Sequence, residues 1–247
     1  ERFFEENSYY VHGWLIPAAI IFLIWQRRNL ILERDRSSAW TGFFLLIPAL
    51  LLHLFARLLA INFISGFALG FTVLSLVIFQ EGFSRARLIA GPLALLIFMI
   101  PLPGIWIISI TFHLKIFSAD IGVDLARLIG IPIIQRGVEI FLPAGPAGRT
   151  LTIGDPCSGL RSLISFGALG GFFALLLPLS VGRRILVVFT ALLLAPLSNI
   201  LRVFLLILLR QKIGPDVLAG PWHILLGIII FFLCFLIFLQ VIRWLLS

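Results

Sequence analysis

The sequence predicts an all-α, polytopic helical membrane protein, and three observations carry that prediction. Hydrophobic residues make up 61% of the 247-residue chain, and the mean hydropathy is +1.14. A soluble domain of this size needs a polar exterior and cannot be so apolar. The charged residues, 12% of the total, fall between apolar runs. Those runs approach the roughly 20 residues that carry a helix across a bilayer, where the backbone must satisfy its own hydrogen bonds. Residues 1–247 read as one transmembrane domain.

The apolar segments come in order at 9–26, 39–56, 58–80 and 88–103, then at 157–180, 185–209 and 221–242. Pro17, Pro48, Pro92, Pro101, Pro178 and Pro196 bound or interrupt several of them. Membrane helices tolerate proline when neighbours satisfy the freed carbonyl. The stretch 104–130 is different, because Lys115, Asp120, Asp124 and Arg127 punctuate it. That spacing suits an amphipathic helix lying in the interface, which gives about seven crossings. The alternative is an eighth span.

Between 131 and 155 the pattern turns β-like. Ile131-Pro132-Ile133-Ile134, Val138 to Leu142 and Leu151-Thr152-Ile153 are strand-prone runs around the turn signal Pro143 to Gly148. A small extracytoplasmic hairpin is expected just before residue 157. It would act as a lid, or as an edge that pairs with an extended peptide.

Basic residues set the orientation. Arg27, Arg28, Arg34 and Arg36 follow the first segment, Arg85 and Arg87 precede the fourth, Arg183 and Arg184 separate two of the last three, and Arg243 follows the final one. Positively charged loops stay cytoplasmic, so the starts of the segments at 157 and 221 face outside. The net charge of +8 therefore reports membrane orientation and not nucleic-acid binding. Two cysteines, Cys157 and Cys234, are too few for a disulfide framework. Cys234 sits deep in an apolar run and reads as packing.

Three polar groups fall at or in the outer halves of successive segments: Cys157, Arg202 and His223. Cys157 follows Pro156, a residue suited to a first helical turn. A thiol at a helix start feels the positive end of the dipole, which favours the thiolate. Arg161, at i+4, would then stack above it. An arginine at the middle of a span costs about 2.5–3.5 kcal/mol and needs a reason. Asn199, three residues before Arg202, shares its face and turns that face into the bundle; the plainer reading is an arginine snorkelling to the interface. A histidine titrates near pH 6.5 and can serve as a base, although His223 beside Trp222 also fits the headgroup level. Ser158 accompanies Cys157, and His12 lies near the outer start of the first segment, where it could line a substrate access route. No metal-ligand spacing, paired carboxylates or phosphate-binding glycine loop is read, so no cofactor or metal is expected.

These residues resemble the exosortase/archaeosortase family of polytopic sorting enzymes, of the bacterial exosortase type. The likeness covers nearly the whole chain. It includes His12-Gly13 with Ile16-Pro17, Met99 to Pro103, Gly130-Ile131-Pro132 and Gly137. The most specific blocks are Cys157-Ser158-Gly159-Leu160-Arg161-Ser162, Asn199-x-x-Arg202 and His223, in that order. The resemblance implies a membrane-embedded cysteine peptidase or transpeptidase. Its substrates would be secreted proteins that end in a sorting motif and a transmembrane tail, and it would pass them to a cell-surface acceptor. The catalytic residues would be Cys157, Arg202 and His223, supported by Arg161, Asn199, Ser158 and His12. The expected location is the bacterial inner membrane, multi-pass, with the site on the extracytoplasmic side. The rival readings are a membrane transporter and a non-catalytic scaffold of a polysaccharide export system.

Overall fold

The computed structural model describes residues 9–142, 149–154, 158–213 and 221–247. The chain is mainly helical. A 3-10 turn, Val11–Trp14, leads into α1 (Leu15–Gln26), followed by the short α2 (Arg28–Leu32), α3 (Trp40–Leu58), α4 (Asn62–Glu81) and α5 (Phe83–Ala94), which runs on as a 3-10 turn at Leu95–Phe98. Helix α6 spans Gly104–Leu128. Strands β1 (Ile134–Arg136), β2 (Glu139–Leu142) and β3 (Arg149–Thr152) come next, then α7 (Leu160–Leu176), α8 (Val181–Ile213) and α9 (Pro221–Leu246). Among the described residues, five helical stretches are long and apolar enough to cross a membrane: Trp40–Leu58, Asn62–Glu81, Gly104–Leu128, Val181–Lys212 and Ile224–Leu246. His12–Gln26 and Leu160–Leu176 are apolar but shorter. The protein is a multi-pass helical membrane protein.

Two compact units divide the chain, residues 1–104 with 171–180 and residues 105–170 with 181–247. In the first, α3 and α4 pack so closely that a β-carbon on Gly42 would overlap the backbone of Phe79 and Ser75. Only glycine permits that approach, as at other tight membrane helix contacts. Trp40, Phe43 and Phe79 interlock beside it with ring centroids 5.7–5.9 Å apart. The basic loops are also structural. Arg27 donates to the carbonyls of Leu175 (2.6 Å) and Leu88 (3.2 Å). Glu81 receives Arg36 at 3.1 Å and Arg85 at 2.5 Å. Cations near helix C-termini satisfy carbonyls that have no partner within the helix.

In the second unit the sheet order is β1-β2-β3, antiparallel throughout, with Ile140 opposite Gln135 on one side and Leu151 on the other. Alternation gives the sheet one apolar face. Ile140, Leu142, Leu151 and Ile153 bury it against Ala119, Val123 and Ala126 of α6 and Val203, Leu206 and Ile207 of α8. Arg210, near the end of α8, donates to the Thr150 carbonyl at 3.3 Å and so fixes β3 to the helix. Helices α7, α8 and α9 form the rest. Gly170 lets α7 approach Ala191 of α8, Phe166 of α7 meets Phe231 of α9 at 4.7 Å, and Arg183 donates to the Leu245 carbonyl at 2.8 Å. Contacts at 159 with 199 and 170 with 191, and at 183 with 245 and 202 with 227, make α8 antiparallel to both neighbours.

Several boundaries differ from the sequence reading. Strand β1 starts at Ile134 rather than Ile131, because Ile131 and Ile133 turn inward in the segment before it. The turn 143–148 lies outside the described residues. The stretch expected in the interface is one unbroken 25-residue helix, long and apolar enough to span. Its charges do not break it, since Asp124 pairs with Arg127 at 3.2 Å and Asp120 accepts from Gln135 at 2.6 Å. The helix expected to open at Cys157 opens at Leu160, with Ser158 and Gly159 in a bend ahead of it. Gly159 has φ +76°, a left-handed conformation that suits glycine and stops the helix from starting sooner.

Candidate functional site

Asn199 is the centre of a buried polar group in the second unit. Its side chain is only 3% exposed and donates from Nδ2 to Ser118 Oγ at 2.8 Å. Ser118, on α6, is 1% exposed. A buried amide left without partners costs about 1–3 kcal/mol, so the Ser118 contact fixes both the rotamer and the approach of α6 to α8. The two helices meet closely here, since a β-carbon on Gly122 would lie 2.9 Å from Val203. On the other side of Asn199 is Gly159, whose added β-carbon would meet Asn199 Cγ and Nδ2 at 3.1 Å. The bend before α7 is thereby pressed onto α8. Ser158 within it is 1% exposed, and its Oγ accepts from the Leu160 amide at 3.5 Å.

Arg202 sits one helical turn beyond Asn199 and is partly buried. Its guanidinium lies flat against α9 at Gly227, where an added β-carbon would fall 3.1 Å from Cζ and Nη2 and 3.4 Å from Nε. Arg210, eight residues on, is buried and tied to β3. His223 is the third residue of α9, one turn before Gly227.

The predicted residues therefore divide as follows. Asn199, Arg202 and Ser158 belong to one neighbourhood, with His223 on an element that touches it. Cys157 lies outside the described residues. Arg161 is the second residue of α7 and exposed. The expected stacking of Arg161 above the Cys157 thiol falls outside the described residues. His12 belongs to the first unit, in the 3-10 turn before α1, with its ring 6.4 Å from that of Tyr10. Tyr10 in turn accepts from the Leu102 amide at 2.9 Å. Cys234 is buried among apolar residues of α9, in line with a packing role.

With this geometry in view, the comparison with known families is decisive. The model of the transmembrane exosortase family, Exosortase_EpsH, matches residues 4–240. The chain belongs to that family. No curated protein and no solved structure matches it. Membership of the transmembrane exosortases brings with it a membrane sorting or transpeptidase role.

The sequence reading missed two members of the neighbourhood. Ser118 is 81 residues from Asn199 and gave no local sign of contact, although Thr111, Ser118, Gly122 and Ala126 recur at helical spacing as a stripe of small residues. Gly227 was legible only through its i+4 relation to His223.

Proposed function

We propose that this exosortase is a membrane-embedded cysteine transpeptidase, with Cys157 as nucleophile, His223 as acid and base, and Arg202 as oxyanion partner. One observation carries the reading: the Arg202 guanidinium rests at Gly227, one turn from His223, while its neighbour Asn199 rests on Gly159, two residues from Cys157. The bend before α7 and helix α9 both meet α8 along the stretch from Asn199 to Arg202, which supports the reading.

The reaction follows from those roles. The Cys157 thiolate attacks the scissile carbonyl carbon after His223 takes the thiol proton. The carbonyl oxygen gains negative charge, and a guanidinium already held in place stabilises it without reorganisation. As the C–N bond breaks, His223 returns the proton to the leaving amine, which departs with the transmembrane tail. The protein remains as a thioester on Cys157. An acceptor amine or hydroxyl attacks that thioester, loses its proton to His223 and releases the thiolate. Asn199 and Ser158 position the site, the first by holding the α7 bend against α8. The sheet, tied to the outer part of α8 by Arg210, offers an edge for the extended sorting motif.

The site faces the extracytoplasmic side of the inner membrane in this reading. Arg183 and Arg184 occupy one end of α8 and the site lies toward the other, so the positive-inside rule gives the orientation. The substrates are secreted proteins with a C-terminal motif and a transmembrane tail.

The test is to co-express the protein with a reporter that carries such a tail and to follow its size. Cys157→Ala, Cys157→Ser, Arg202→Ala and His223→Ala are each expected to leave the reporter uncut, and Cys234→Ala to process it normally. Processing by Cys157→Ala at the normal rate would refute the mechanism.

A further inference from the structure

Within the first unit, three cavities adjoin one another along α4. The first, of about 300 Å³, is an apolar groove floored by Gly66 and Gly70 and walled by Leu93 and Ile97. The second, of about 220 Å³, shares Gly66, Leu96 and Ile100 with it and is lined by His53, Asn62 and Ser65. The third, of about 300 Å³, shares Asn62 and Pro101 with the second and opens between the loop at 60–63 and the segment 101–104. The trough therefore passes from wholly apolar to polar along its length.

We infer that this trough binds one anionic glycerophospholipid, with an acyl chain between Gly70 and Ile97 and its phosphate at His53, Ser65 and Asn62. The polar end selects the headgroup. His53 Nδ1 and Ser65 Oγ lie 3.1 Å apart and present a paired hydrogen-bonding edge. Arg57 is exposed one turn beyond His53 on the same helix. No Asp or Glu occurs from Trp40 to Gln80 or from Gly82 to Ala119. The segments lining the trough therefore carry positive charge only, and its complement is a phosphate.

The experiment uses the full chain reconstituted with phosphatidylcholine containing one-fifth phosphatidylglycerol, extracted gently and weighed intact by native mass spectrometry. One phosphatidylglycerol per chain is expected to survive. Its preference over phosphatidylcholine should fall about fivefold in Arg57→Gln, the change expected for one cation near a phosphate. His53→Gln should reduce it further. Gly70→Leu should cut retention of both lipids, because its β-carbon would meet Leu96 at 3.7 Å, an ordinary contact, and the rest of the side chain fills the groove. Ala94→Leu blocks the same groove from the facing wall. Equal retention of the two lipids by the unaltered protein would overturn the proposal. So would undiminished phosphatidylglycerol in both groove-filling variants. A change of oligomeric state in those variants with lipid retention intact would mark the groove as a protein contact and also overturn it.

Discussion

Substituting Gly227 first by alanine and then by valine displaces the Arg202 guanidinium in two steps. An alanine β-carbon would sit 3.1 Å from Cζ and Nη2, whereas carbon contacts relax at about 3.5–4.0 Å. The guanidinium must move by about 0.4 Å or more. A 1 Å misplacement of a catalytic group costs about a hundredfold in rate, so Gly227→Ala should lose about fivefold. Valine adds two methyl groups on the same side and pushes the charge by more than 1 Å. Gly227→Val should therefore lose about a hundredfold, near the 10²–10³ lost when an oxyanion donor is removed. Neither variant should unfold α9, because glycine is the worse helix former by up to about 1 kcal/mol. The assay is the initial rate of tail cleavage in membranes matched for enzyme content, with melting temperature as the control for folding. Wild-type cleavage by Gly227→Val alongside an inert Arg202→Ala would show that the active guanidinium does not lie at Gly227.

The remaining expectations concern the positioning residues. Asn199→Ala removes the Ser118 bond and leaves a buried hydroxyl unsatisfied, so it should destabilise the protein by about 1–3 kcal/mol, seen as a lower melting temperature, and Ser118→Ala should reproduce part of that loss. The double variant should cost less than the sum of the two, because the partners share one interaction. Gly159→Ala faces both a left-handed backbone and the Asn199 side chain at 3.1 Å. It should lose about 1–2 kcal/mol from the backbone alone and slow cleavage, whereas Gly182→Ala, which meets nothing within 4 Å, should do neither. Iodoacetamide should label Cys157 faster than Cys234 in the purified protein, and equal labelling would remove the argument for an activated thiolate.

The run of apolar segments was legible in the sequence because the bilayer imposes a length. Helices α3, α4, α8 and α9 fall within a few residues of the expected ranges for that reason. The site was legible where it was local. Asn199 and Arg202 share a face by their spacing of three, which hydropathy cannot hide. The details that failed depend on distance or on conformation. The start of α7 is decided by the positive φ of Gly159 and its press against Asn199, 40 residues away in sequence, and not by the proline at 156. The charges in 104–128 sit on a continuous helix, and the partners of Asp120 and Asp124, Gln135 and Arg127, were not foreseen in the interfacial reading. His53 had no polar neighbour in sequence, and its Ser65 partner comes only from the α3–α4 turn.

Helix α8 has 33 residues, about 50 Å of rod, against a hydrocarbon layer of about 30 Å. Arg183 and Arg184 load one end and Arg210 and Lys212 the other. A shift along its own axis by one turn would drag a guanidinium toward oil, so the rod behaves as a gauge with stops at both ends. Arg202 is about 12 Å of helix from Arg210 and about 27 Å from Arg184. Under the proposed function, the scissile bond must reach that arginine at a set height in the membrane, and tail length would then select substrates as much as the motif does.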